Sequence, residues 1–338
     1  MTDAGFAQSF EFPGSVAQEY VALRSQAALV DFSFLSVLVL FGPDATSFLQ
    51  GMISNDVNQV SGGEGCLATI LTPIGKLIAD LTVLKFSEEK FWIICRAELK
   101  EKVAQTLNRF IVTDQVEVKD VANTSALAIL GPASSNCLKK TVALLPKKPC
   151  DHVETRLCEE PVLLLRDARF GIDGYQMWLS SDRRAAIRTW LEKQCGVWSA
   201  SAEAFDILRI EAGVPVFGID FDETNIPLES NLDHALDFQK GCYTGQEVIA
   251  RVTYLGNISK KLTGLLVEGE KIPARGEEVS ADGRVIGRVT SATVSLTLGR
   301  PIALAYIQRK YLDAGTQVEL KQSGSRARVQ SLPLVDVP

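Results

Sequence analysis

Lys240-Gly241-Cys242-Tyr243-Thr244-Gly245-Gln246-Glu247, running on into Val248-Ile249-Ala250-Arg251, is the stretch on which the reading of this chain turns. Glycines at 241 and 245 allow close backbone approach or a left-handed turn around the cysteine. Thr244 followed three residues later by Glu247 fits a capping box ahead of an apolar run, which predicts a helix starting beside Cys242. A helix N-terminus carries partial positive charge, and Lys240 adds a cation, so the pattern predicts a thiol pKa below the free value. The competing reading of the same residues is a cysteine chosen only because it is small enough for a tight loop.

The six remaining cysteines, at 66, 95, 137, 150, 158 and 195, sit in apolar or ordinary contexts. With the total odd and no Cys-x-x-Cys spacing, neither a disulfide framework nor a zinc ribbon is indicated, and a reducing, cytoplasmic setting is expected. His152 and His234 are the only histidines, so no metal site built on several of them is expected, and neither makes a convincing partner for a cysteine nucleophile.

Upstream, Ala202 to Ala212 reads as a helix with Ser201 as N-cap, Gly213 just past its end and Pro215 beyond. Glu211 falls in its last turn, where a carboxylate opposes the helix dipole. Either a ligand donating hydrogen bonds compensates it, or it is a solvated glutamate paired with Arg209 or Lys240. Residues 31–41 read as one alternating strand, and Ala45–Gly51 as a short helix capped by Asp44. Strands follow at Cys66–Leu71, Leu77–Phe86 and Phe91–Cys95, then a helix at Leu99–Phe110. Leucine spacing suggests helix between Pro132 and Pro149, and Val162–Phe170 and Tyr175–Leu179 read as paired strands. Beyond Gly256, short strands alternate with turns such as Ala281-Asp282-Gly283-Arg284, the pattern of a small all-β domain. The whole is an α+β chain.

Charge and size agree with an ordinary globular protein. The 338 residues carry 35 Lys and Arg against 41 Asp and Glu, a net charge of −6, which argues against direct nucleic-acid binding. Residues 256–338 are net +4 and the rest net −10, a split that fits a solvated contact between domains. Apolar runs such as Leu35–Phe41 fall far short of the roughly 20 residues that span a bilayer. The first residues, with Asp3 and Glu11 and no apolar core, do not read as a secretion signal.

The cysteine loop resembles the signature of the YgfZ family of folate-binding iron–sulfur factors, which is related to the glycine cleavage T-protein, an aminomethyltransferase. Leu49-Gln50-Gly51 with Ser54-Asn55-Asp56-Val57, Gly75 to Leu81, Leu208 to Pro215 and Gly287 to Tyr306 resemble further shared blocks, so the likeness covers nearly the whole chain. It implies a three-domain ring around a folate-binding hole. The expected division is a discontinuous α+β folate-binding domain (1–50 and 125–250), an inserted α+β domain (51–124) and a C-terminal antiparallel β-barrel (251–338). The resemblance implies that tetrahydrofolate or a one-carbon derivative is bound by Glu211, Asp80, Phe205 and Leu35. Glu211 would meet the pteridine ring. Asp80 resembles the second of the transferase's paired aspartates, but the first is Ala79, a departure that argues against aminomethyl transfer. Leu35 falls where some relatives carry Trp.

Cys242 and Lys240 would form the redox or cluster-contacting centre, framed by Gly241, Tyr243, Thr244, Gly245, Gln246, Glu247 and Arg251. The implied function is an accessory one: assembly or repair of iron–sulfur clusters through transient contact with client enzymes or assembly proteins, with an indirect effect on tRNA modification. A folate-dependent aminomethyltransferase-like enzyme is the alternative.

Overall fold

A computed structural model describes residues 14–336 apart from 168 and 257. The amino-terminal stretch read above for a secretion signal lies outside the described residues. Three sheets organise the chain. A six-stranded sheet runs in the order Trp198–Ala200, Ala28–Asp31, Thr124–Leu130, Gly174–Ser180, Glu160–Arg166, His152–Leu157. It is antiparallel except where Trp198–Ala200 lies parallel to Ala28–Asp31. A five-stranded antiparallel sheet runs Gly65–Leu71, Leu77–Ser87, Lys90–Arg96, Leu35–Phe41, Glu117–Asp120. Six antiparallel strands between Lys260 and Gln330 close into a barrel. The α+β expectation with a C-terminal antiparallel barrel is met.

Several local rules act as read. Asp282 and Gly283 both take positive φ (51° and 71°), and Ala281 pairs with Arg284, the two-residue turn that Asp-Gly favours in a hairpin. Ser201 Oγ accepts from Ala204 N at 3.3 Å to start the helix Ala202–Glu211, and Gly213 ends it at φ 73°. Seven of that helix's ten residues are buried, which makes it an internal strut.

Others are corrected. Residues 31–41 are two strands in two different sheets. Phe32 and Phe34 turn the chain between them because their rings pack with each other and with Phe170 and Phe205, at centroid distances of 5.1–6.1 Å. The strand Leu35–Phe41 is covered on both faces: Leu38 and Leu40 enter one core cluster, Leu35 and Val37 another. Its period of two therefore sorts side chains between cores, not between core and water. Asp44 makes no capping bond to the helix Ala45–Met52, since its Oδ2 accepts from Gln115 N. Between Pro132 and Pro149 only Ser134–Leu138 is helical.

Candidate functional site

A cavity of about 650 Å³ opens where the three sheets meet. Leu35, Asp80 and Arg96 come from the five-stranded sheet, and Arg169, Phe170 and Gly171 from the turn after Glu160–Arg166. Residues 212–217 follow the buried helix, Lys261–Thr263 belong to the barrel, and Ser331–Pro333 close the wall. The segment 212–217 is held from behind by a buried pair. Arg209 Nη1 donates to Asp220 Oδ2 at 2.6 Å, and both residues are only 2% exposed. Asp220 Oδ2 also accepts from Val216 N (3.0 Å), while its Oδ1 accepts from the hydroxyls of Thr290 and Ser291, tying the wall to the barrel.

The polar centre of the cavity is Asp80 with Arg169. Along Leu77–Ser87, the side chains of Leu77, Ala79 and Leu81 enter the core, which leaves Asp80 on the opposite face. Arg169 Nη2 donates to Asp80 Oδ2 (2.6 Å) and to the Asp80 carbonyl (2.7 Å). The turn carrying Arg169 is fixed by a buried relay. Arg169 N donates to Asp167 Oδ1 (2.8 Å), Gln176 Nε2 to Asp167 Oδ2 (2.8 Å), and Trp178 Nε1 to Gln176 Oε1 (3.1 Å). Burial pushes the Asp167 carboxyl above its ordinary pKa. Asp80 Oδ1 and Arg169 Nη1 have no hydrogen-bond partner among the described residues, although both are buried. Buried polar atoms are rarely left so.

The other expected residues separate. Leu35 lines the cavity, with Phe34 and Phe170 nearby. Phe205 is 8% exposed and packs edge-on against Phe32 and Phe170, behind the wall. Glu211 is fully buried and does not line the cavity. Its Oε2 accepts from Tyr20 Oη (2.6 Å), and its Oε1 from Ser295 Oγ and, at 3.4 Å, from Thr297 N. Arg24 lies 3.5 Å away. The compensation for a carboxylate at a helix end is thus internal. Neither Arg209 nor Lys240 is its partner.

The cysteine loop packs against residues 50–55 and the turn at 72–75. Lys240 is buried and donates to the carbonyls of Gln50, Ile53 and Asn55 at 2.7, 2.7 and 2.9 Å, where a helix C-terminus favours a cation. Desolvation lowers its pKa to about 8. Its ammonium is committed to those carbonyls, and the expected pairing with the thiol is not made. The capping box is absent too. The helix Gln246–Leu255 starts at Gly245, which sits at φ 85° without a side-chain cap. A Cβ at Gly245 would lie 2.6 Å from the Thr72 carbonyl, so only glycine fits there. Tyr243 is buried under the Lys240 ammonium, Thr244 N donates to the Gly51 carbonyl, and Gln246 Nε2 to the Lys240 carbonyl. Gly241, Cys242, Glu247 and Arg251 are exposed. Among the described residues, no three His, Cys, Asp or Glu side chains gather to hold a metal ion.

Reading the sequence alone missed Arg169, the Arg209–Asp220 pair and His234, which lines the cavity. The one signal for Arg169 was its place before Gly171, because the strand ends at Arg166 and not at Phe170 as expected.

The comparisons with known proteins agree with this architecture. Residues 1–240 match the GCVT N-terminal domain family, and residues 260–336 match the glycine cleavage T-protein C-terminal barrel domain. The chain belongs to the glycine cleavage T-protein family. Among relatives of the T-protein family, an aminomethyltransferase of Thermoanaerobacter sp. (strain X514) is 30% identical over 326 residues, covering 94% of this chain and 88% of the relative. One from Caldanaerobacter subterraneus subsp. tengcongensis is 31% identical over 330 residues, covering 94% and 86%. The crystal structure of glycine cleavage system aminomethyltransferase T from Bartonella henselae superposes with a TM-score of 0.86 at 23% identity, over 97% of this chain and 91% of that one. That similarity establishes the shared T-protein fold. Among the described residues, no helix of this family member is long and apolar enough to cross a membrane.

Proposed function

We propose that this T-protein-family chain binds tetrahydrofolate or a one-carbon derivative in the central cavity and acts in the cytoplasm as a YgfZ-type accessory factor for iron–sulfur enzymes. The observation that carries this reading is the Asp80 carboxylate, capped by Arg169 at 2.6 Å and preceded by Ala79, in a chain whose Cys242 thiol is exposed. A cavity of about 650 Å³ is of the size that takes a cofactor of this class. A carboxylate already paired with a guanidinium is a poor partner for a cationic aminomethyl group. The chain's own part in cluster chemistry is one exposed thiol, Cys242, offered to a client, and the effect on tRNA modification follows through such clients.

The second reading is a folate-dependent aminomethyltransferase. It is favoured by the relatives' name and by coverage of 86–88% of their length. One pair of measurements separates the two. The accessory reading expects tetrahydrofolate binding by calorimetry, loss of iron–sulfur enzyme activity when Cys242→Ala replaces the cell's own copy, and no ammonia or methylenetetrahydrofolate from an aminomethyl donor. Release of those products, with Cys242→Ala fully active in cells, would establish the transferase and remove the accessory role.

A further inference from the structure

We propose that residues 53–55 couple the cavity to the cysteine loop, so that a ligand in the cavity holds the loop that presents Cys242, with Lys240 as the positioning residue on the loop side. The inference rests on the folate reading and deepens it: the bound cofactor's part is to fix the thiol in place for a client.

The segment is bonded on two sides. Toward the cavity, Asn55 Nδ2 donates to the Leu67 carbonyl and Ser54 Oγ to the Ala235 carbonyl, both at 2.7 Å. Ser54 N donates to the Thr69 carbonyl (3.0 Å), and Ser54 Oγ accepts from Thr69 N and Thr69 Oγ1 (2.8 Å each), which uses the whole capacity of that hydroxyl. Leu67 and Ala235 line the cavity, as does His234 in the same turn as Ala235. Toward the loop, Lys240 Nζ donates to the Ile53 and Asn55 carbonyls, and Asp237 N donates to the Ser54 carbonyl at 2.9 Å. Ser54 and Thr69 are 0% exposed, so water does not stand in for these bonds.

Lifting the loop strips three adjacent carbonyls of their donors in a buried place, which is costly unless the segment itself reorganises. Reorganisation gives up the bonds that fix Leu67 and Ala235 in the wall. The open loop therefore belongs to a state with a broken cavity. A ligand that binds only the closed state suppresses that opening by the factor 1 + [L]/Kd, about 100-fold at 100 times Kd. No contact between ligand and segment is needed, because loss of the wall suffices. Lys240 is not one of the residues lining the cavity, so its effect there passes through residues 53–55.

The test uses the full chain and follows hydrogen–deuterium exchange of the Asp237 and Thr244 amides, which donate to the Ser54 and Gly51 carbonyls. Exchange is compared with and without tetrahydrofolate at about 100 times the Kd read by calorimetry. Folate is expected to slow these amides by about 10- to 100-fold while the barrel turn at 281–284 stays unchanged. In Lys240→Met that slowing is expected to fall at least about fivefold. A merely structural lysine would speed exchange with and without folate alike and leave the ratio unmoved. The wild-type comparison needs no variant, so poor folding of Lys240→Met does not shelter the proposal. Bound tetrahydrofolate that leaves both amides unchanged overturns the coupling alone, as does an unmoved ratio in Lys240→Met. Loop exchange in the free protein no faster than in the core strand Thr124–Leu130 overturns it too, because the loop then has no opening of its own. No binding by calorimetry overturns the folate reading and the coupling with it.

Discussion

Replacing Glu211 by Ala separates a ligand contact from a structural one. The carboxylate is fully buried, and three donors converge on it from Tyr20, Ser295 and Thr297, with Arg24 3.5 Å away. Two of these donors keep other partners. Tyr20 Oη also bonds Thr297 Oγ1 at 2.6 Å, and Ser295 Oγ accepts from Leu298 N at 2.9 Å. The loss is therefore smaller than three charged hydrogen bonds at roughly 1.5–3 kcal/mol each. What dominates is the removal of a buried carboxylate from an ion pair whose cation, Arg24, is 22% exposed and keeps the Asp336 carbonyl, which places the loss at or below the lower end of the about 3–5 kcal/mol for breaking a fully buried pair. That is a large fraction of a typical folding free energy of about 5–15 kcal/mol. Glu211→Gln, which keeps shape and one acceptor, should lose about 1–3 kcal/mol. Urea unfolding followed by circular dichroism reads both values, with the midpoint moving and the slope unchanged. Tetrahydrofolate affinity of the folded Glu211→Gln protein should stay within about threefold of wild type, since Glu211 does not line the cavity. A Glu211→Ala protein with an unmoved midpoint and a tenfold or greater loss of folate affinity would refute this and return Glu211 to the ligand.

Three further outcomes are expected. Iodoacetamide at neutral pH should label Cys242 and Cys158 first, because both are exposed, whereas burial pushes Cys66 and Cys95 up to about 12 and Cys195 to about 11; peptide mass spectrometry showing Cys66 or Cys95 labelled ahead of Cys242 would contradict the packing. His152 is buried against the Phe86 ring with both nitrogens unpartnered among the described residues, and desolvation lowers its pKa. The unfolded chain then binds the proton more readily, so this contribution is present above pH about 6.5 and is lost as pH falls below it; His152→Phe should flatten that part of the stability–pH curve, and an unchanged curve would count against it. Gly213→Ala places a Cβ 2.8 Å from Leu332 Cβ at a φ of 73°, so about 1–3 kcal/mol of stability should go, read from the same urea curves, together with folate affinity, because both residues line the cavity.

What was legible in the sequence was local. Asp282-Gly283 makes its own turn, Ser201 and Gly213 mark the two ends of their helix, and the barrel strands alternate against turns at short spacing. Resemblance carried the ring architecture, which no periodicity in this chain contains. Apart from the Arg209–Asp220 pair, eleven residues apart, the missed or misread contacts depend on partners far along the chain. Arg169 meets Asp80 across 89 residues, and Glu211 meets Tyr20 across 191. Spacing rules look no further than a turn or two, so a carboxylate at a helix end looked like a ligand contact when its partners were simply distant. The division of residues 31–41 was invisible for another reason. Phe32 and Phe34 are apolar like the strands they separate, and the break is imposed by rings from other segments. The capping box failed because the turn at 72–75 presses on Gly245, a tertiary constraint that overrides a correct local motif.

The end of the buried helix also sets a schedule. Besides its carboxylate contacts with Tyr20 and Arg24, Glu211 accepts from Leu334 N and Val335 N through its backbone carbonyl, and Arg24 Nη2 donates to the Asp336 carbonyl. Residues from opposite ends of the described chain thus meet at one point, beside Ser331–Pro333 in the cavity wall. At roughly 5–20 residues per second of synthesis, the helix Gly14–Ser25 waits on the order of 15–60 s for those partners to be made. During that interval the two sheets can assemble, but the cavity lacks a wall and Tyr20 and Arg24 lack half of their setting. A nascent chain can therefore hold most of its core and still have nowhere to bind. Competence arrives late and all at once, with the strand pairs and residues 331–336 that close the ring.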